Sequence, residues 1–216
     1  MTASPLWLPP VIGASGGLQS MVDLVPRARS VAREGWTGKE SARPLSPQGL
    51  SRAGSLVTVM RDGIDAVRSS PAKRCVQTVE PQARSFGLSV VTAPGPAPPD
   101  GTYQPREWTE GVFSPFRRSL GGAWMAGAGL AVLIAMGNAR PGGHVVACSH
   151  GDVIPVLVAQ APALHGHASP PPVVDRGGRH RMRFGTDALT VESRGPAVLR
   201  SRGVVAERVS SGVSIK

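Results

Sequence analysis

Short runs of β-branched and aliphatic residues alternate along this chain with segments that carry helix start and stop signals, and this alternation constrains the fold more than any other feature. Residues 21–25 (MVDLV) predict a short buried strand, ended or bordered by Pro26, which has no N–H to give to a ladder. Residues 28–47 are polar and irregular, with Trp36 as a large apolar anchor. Ser46 is placed to cap a helix that has Pro47 at its first position and runs to about Met60. Residues 66–70 predict a second strand; Pro71 then opens a helix to about Phe86 that Gly87 closes. Residues 88–92 (LSVVT) predict a third strand. A Pro/Gly loop at 94–104 and a poorly defined stretch to Arg118 follow. A helix over 123–138 leads into a fourth strand, 144–149 (HVVACS), which feeds Gly151-Asp152 and a helix over 153–160. After a loop at 161–172, two or three antiparallel strands are expected at 181–184, 188–193 and 204–209. The pattern predicts a layered α/β domain with antiparallel pairing at its C-terminal end. Its expected span is residues 21–210, between a loose tail at 1–20 and a short one at 211–216.

Composition removes several classes. The chain has 216 residues, enough for one full-sized domain with a real core. Its 27 Gly and 21 Pro imply long irregular stretches, yet stop short of wholesale disorder. Few aromatics are present, so the core must be aliphatic. Two cysteines, Cys75 and Cys148, form no CxxC pair and read as small apolar residues. A collagen-like or disulfide-stapled protein is excluded.

The net charge of +10 permits nucleic-acid binding, but the arginines are spread along the chain instead of forming a stripe with interleaved aromatics. Residues 1–20 lack a basic signal-peptide start and are broken by Pro5, Pro9 and Pro10. Residues 119–139 carry no charge, yet their strongly apolar part is too short for a membrane span and reads as a buried helix. A cytoplasmic location, with no membrane contact, is the expectation.

Four segments carry chemistry: LVPRARS (24–30), RPLSPQG (43–49), SSPAKRCVQT (69–78) and ACSHGDVIP (147–155). In this order and spacing they resemble the histidine phosphatase superfamily, also called phosphoglycerate mutase-like, and most of all its short SixA-type phosphohistidine phosphatase branch. The resemblance implies a three-layer α/β/α sandwich with antiparallel C-terminal strands. It also implies a reaction in which a neutral imidazole attacks phosphorus, arginine forks and a second histidine hold the equatorial oxygens, and a carboxylic acid protonates the leaving oxygen.

Carried over by position, Arg74 matches the family's phosphate-binding arginine, on the first turn of a helix whose N-terminus also attracts anions. His150 matches the second histidine of the site. The proton donor should come from the segment between strands three and four, where Glu110 is the first choice and Glu107 the second; a solvated loop acid is the competing reading for both. The first segment departs from the family, which places Arg-His directly after the Leu-Val that ends strand one. Here Pro26 takes the phosphate-binding slot and Arg27 the nucleophile slot, and no histidine precedes His144. A guanidinium is always protonated and cannot attack phosphorus, although it can attract an anion.

The expectation is therefore a protein that binds or hydrolyses a small phosphorylated molecule, or a phosphohistidine protein, through His150, Glu110, Arg74 and Arg27, with its hydrolytic power impaired. One alternative is an active phosphatase in which His150 or an activated water replaces the missing nucleophile. Another is a basic module for nucleic acid or an acidic partner. No cofactor is implied. His165 and His167 lack acid or Cys partners at ligand spacing, so no metal site is expected. Ser149 and His150 are chain neighbours, the wrong geometry for a nucleophile–base pair.

Overall fold

The strand that opens the domain, β1 (Ser20–Pro26), alternates its side chains between two buried faces, and both faces need a cover. The computed structural model describes residues 18–60, 63–92, 117–151, 153–163, 178–185, 189–195, 198–199 and 205–206. In chain order β1 is followed by a 3₁₀ turn (Glu40–Ala42), α1 (Pro47–Val59), β2 (Ala66–Ser69), α2 (Lys73–Ser85) and β3 (Val90–Thr92). Then come α3 (Arg117–Asn138), β4 (His144–Ser149), α4 (Ile154–Ala163), β5 (Arg179–Phe184) and β6 (Leu189–Arg194). A separate two-stranded ribbon pairs β7 (Val198–Leu199) with β8 (Val205–Ala206).

Six strands form one sheet in the order β3-β2-β4-β1-β5-β6. The first four run parallel; β5 and β6 are antiparallel to their neighbours. Val22, Leu24, Val145 and Ala147 pack with Leu133 of α3 and Leu157 of α4. Val25, Val67 and Val146 face the other way, against Leu56 of α1 and Val79 of α2. These are the expected three layers, with an aliphatic core on both sides of the sheet.

Local chemistry explains the helix ends. The Ser46 side chain accepts from Gly49 N at 3.1 Å, with Pro47 at the first helical position. Gly87, at φ +66°, ends α2, and Leu88 N donates back to Ala83 O at 2.8 Å. That bond takes Leu88 out of strand pairing, so β3 starts two residues later than expected. Pro71 lies before α2, not in it: Ala72 is still extended (ψ 129°), and the helix begins at Lys73. Helix α3 starts six residues earlier than expected, and Gly121 and Gly122 do not break it. Helix α4 runs through Pro162 into what reads as loop. Of the predicted strand at 204–209, Val205 and Ala206 pair with β7, and the other four residues lie outside the described ones. So do the proposed C-terminal tail and residues 1–17 of the N-terminal one.

An acid sits in the middle of the core. Asp23 is fully buried on β1, and Arg181 of β5 grips it with two bonds of 2.9 Å. Arg179 Nε lies 3.5 Å from the same carboxylate. His144 Nε2 meets Asp23 Oδ2 at 3.0 Å, while its Nδ1 meets Gly63 O at 3.0 Å. Both of these partners are acceptors, so only the doubly protonated ring makes the two bonds together.

Gly49 sets how closely the loop after β1 can approach α1. A Cβ there would collide with the backbone carbonyl of Arg29, which also accepts from Ser46 N at 2.9 Å. Gly49→Ala must push that loop away, and we expect a loss of roughly 2–3 kcal/mol, read as a lower urea midpoint at unchanged slope.

Candidate active site

Three parallel strands end side by side. Pro26, the last residue of β1, pairs with Ser149 of β4, and Arg27 N donates to Ser149 O at 3.0 Å. On the other side Ser70 N, just past β2, donates to Cys148 O at 3.0 Å. Open α/β sheets bind ligands at such carboxyl ends. His150 follows β4 directly, and its carbonyl accepts from Val153 N and Ile154 N at the start of α4, so its backbone is held by both strand and helix.

The first turns of α2 hold the neighbouring loops in place. Thr78 Oγ1 donates to Arg74 O at 2.7 Å and accepts from Ala28 N at 3.0 Å. Gln77 Oε1 accepts from Leu45 N at 2.8 Å. The loop that follows β1 and the one that precedes α1 are thereby tied to the helix that carries Arg74.

Arg74 is 8% exposed. Its Nη1 donates to Glu40 O at 2.6 Å and lies 3.4 Å from Glu40 Oε1. Its buried Nε has no hydrogen-bond partner. Glu40 itself is clasped by Arg43 (Nη2 to Oε1 2.6 Å, Nε to Oε2 3.1 Å) and reached by Arg33 at 3.2 Å. The Arg43 hydrogen bonds, outweighing partial burial and helped by Arg33, bring the Glu40 carboxyl down to about 2. The 3₁₀ turn is thus a fixed anionic post, and it holds the Nη1 end of the Arg74 fork while leaving the Nε edge without an acceptor.

His150 Nε2 lies 3.0 Å from Ser70 Oγ. Beneath the ring, Cys75 Sγ lies 3.9 Å from Nε2 and 4.0 Å from Nδ1. A hydrogen bond from the Cys148 thiol, aided by His150 and Arg74, brings the Cys75 thiol down to about 5 despite its burial; burial pushes Cys148 up. Both cysteines belong to the core, yet Cys75 also touches the site. Arg27 bends along its own loop, with Nη1 at 3.3 Å from Ser30 Oγ and 3.5 Å from Ala28 O. A mostly apolar cavity between α3 and the sheet opens beside the site, with Ser70 and His150 in its lining.

Arg27, Arg74 and His150 therefore gather at one end of the sheet, while Glu107, Glu110, His165 and His167 lie outside the described residues. Among the described residues, no group of His, Cys, Asp or Glu is arranged to hold a metal ion, and no helix is long and apolar enough to cross a membrane. Sequence reasoning missed Glu40, Ser70 and Cys75 as neighbours of the site. Ser70 and Cys75 lie inside the quoted SSPAKRCVQT segment, but their contact with His150 spans 75 to 80 positions.

Residues 28–95 match the family model of the histidine phosphatase superfamily (branch 1). Among solved structures the fold is similar to YhfR of Bacillus stearothermophilus (TM-score 0.64, 14% identity, covering 83% of this chain and 98% of that one). It is also similar to the alpha-ribazole phosphatase of Shigella flexneri (TM-score 0.60, 16% identity, 80% and 95%). A third similar structure is described as the phosphohistidine phosphatase SixA of Agrobacterium tumefaciens (TM-score 0.50, 20% identity, 79% and 94%). No curated protein matches the sequence. The family match is confined to residues 28–95, and these solved structures share the fold of this chain.

Proposed function

We propose that the chain binds the phosphoryl group of a small phosphomonoester or a phosphohistidine at the ends of β1, β2 and β4, and that the family's phosphohistidine route is blocked in it. The orphaned Nε of Arg74 carries this reading. A buried donor without an acceptor costs on the order of 1–3 kcal/mol, more when charged. A phosphate oxygen facing the Nε edge of the fork relieves that cost with a short charge-assisted bond. Arg27 adds positive potential from the next strand end. His150 lies one residue past β4, next to Arg27's contact on Ser149 O.

The block follows from residues 26 and 27. Pro26 has no backbone N–H to offer an oxygen, and the Arg27 guanidinium has no lone pair to give to phosphorus. The SixA-type branch is the preferred placement because RPLSPQG and SSPAKRCVQT agree with it in spacing and in flanking secondary structure. Glu110, or else Glu107, remains the proposed proton donor.

Isothermal titration with orthophosphate tests the binding. We expect saturable binding to wild type, weakened at least tenfold in Arg74→Ala, as for loss of a charged hydrogen bond worth about 1.5–3 kcal/mol. Equal affinity in the two proteins removes the assignment.

A further inference from the structure

The site described above lacks the family's nucleophile, yet it contains a hydroxyl already paired with a base. Ser70 follows β2 directly, is partly exposed, and has its Oγ 3.0 Å from His150 Nε2. Ser70 and His150 also both line the cavity beside the sheet. From the Ser70–His150 hydrogen bond and their shared place in the lining of that cavity, we infer that Ser70 is a phosphoryl acceptor, with His150 as its general base. The inference rests on the proposed phosphate site.

The arrangement meets the first geometric requirement for an activated serine, nucleophile and base within hydrogen-bond reach. When Nε2 accepts the Ser70 proton, the ring proton sits on Nδ1. The Cys75 sulfur, 3.9 Å from Nε2 and 4.0 Å from Nδ1, packs beneath the ring. The His150 backbone is anchored by β4 and by the first turn of α4, so the ring has little freedom to swing away. Arg74 is four residues past Ser70, on the first turn of α2.

The step balances with a phosphomonoester alone. Ser70 Oγ forms the new bond to phosphorus as its proton passes to His150 Nε2. The bond from phosphorus to the ester oxygen breaks, and its electron pair leaves on that oxygen, which takes the proton back from His150 or, for a nitrophenyl ester, departs as phenolate while His150 releases the proton to solvent. Water then attacks the phosphoserine with His150 again taking the proton, the Ser70 oxygen is reprotonated, and orthophosphate is released. Two residues far apart in sequence, Ser70 and His150, thus replace a single imidazole.

The test is to incubate the full-length protein with 4-nitrophenyl phosphate, quench in acid, and read intact mass and peptide fragments. Phosphoserine survives acid and is lost in alkali, whereas phosphohistidine behaves in the opposite way, so the quench separates this route from the family's own. We expect one acid-stable phosphoryl group, mapped to Ser70. It should be absent from Ser70→Ala and reduced about a hundredfold in its rate of formation in His150→Gln.

Orthophosphate titration of the same samples keeps two failures apart. Normal phosphate binding with no adduct on Ser70 overturns the nucleophile and leaves Ser70 as a hydrogen-bond partner of His150. An adduct on another residue overturns it equally. Loss of phosphate binding in wild type removes both the site and the inference.

Discussion

The double revertant Pro26→Arg, Arg27→His gains hydrolysis of a generic aryl phosphate, by about 10²–10³-fold over the natural chain, and loses that gain when His150 is also replaced by Ala. Loss of the nucleophile alone from a constellation that acts as a unit costs about 10⁴–10⁶ in turnover. A restored imidazole in a pocket not tuned around it should recover only part of that. Residue 27 is well placed for the exchange: its N–H is fixed on Ser149 O, one residue before His150, and Ala28 N is fixed on Thr78. The backbone beneath the nucleophile slot is therefore held by β4 and α2 whatever side chain it carries. Substitution of Pro26 also returns an N–H at the strand end. Single-turnover and steady-state rates for wild type, the revertant and the revertant with His150→Ala decide the matter. No gain in a revertant that still binds orthophosphate would show that the slot is not aligned with the phosphate. Equal, His150-dependent turnover in wild type would show that the block at residues 26 and 27 is bypassed.

Much of this frame is legible from local chemistry. Ser46-Pro47 marks a helix start, and Gly87 a helix end, because caps depend on a few adjacent residues. The two-sided strands β1 and β4 announce a covered parallel sheet by their apolar runs, which Asp23 alone interrupts between Met21 and Val25. Legibility fails where the deciding partner is distant in sequence. Nothing in KESARP signals that Glu40 will hold a guanidinium 34 positions away. Nothing in SSPAKR signals that Ser70 will face a histidine 80 positions later. Helix boundaries failed for a related reason. Gly121, Gly122 and Pro162 are poor helix residues taken singly, and α3 and α4 tolerate them because Leu133 and Leu157 bury against the sheet. The departure at Pro26-Arg27, by contrast, is visible only in sequence. The backbone there continues β1 and its pairing with β4 as though nothing had changed.

Asp23→Asn lowers stability by about 3–5 kcal/mol, the range for removing one member of a buried ion pair. Replacing the acid leaves Arg181 and Arg179, both nearly inaccessible to water, without their shared anion, and removes an acceptor from His144 Nε2. At the 2–4 °C per kcal/mol usual for a chain of this size, thermal unfolding should move down on the order of 10 °C.

The pH dependence gives a second readout. Burial on its own would raise the Asp23 carboxyl, but the Arg181 hydrogen bonds, then His144, bring it from its ordinary 3.8 to about 2. A depressed acid contributes stability that is complete above its unfolded value and disappears as pH falls through its folded one. That contribution, roughly 2–3 kcal/mol at neutral pH, should therefore fade between about pH 4 and pH 2. Glu40 is depressed to a similar value but stands largely in solvent, where screening leaves little of the effect as stability. Urea midpoints followed from neutral pH down to pH 2 should show wild type losing stability faster than Asp23→Asn over that interval, so that the two curves approach each other in acid. Parallel curves would mean that the network around Asp23 is not held together by its charge. The cluster links β1, β4 and β5 beneath the candidate site, with Asp23 only three residues before Pro26. Weakening it should also loosen Arg27, so Asp23→Asn is expected to bind orthophosphate less tightly than wild type.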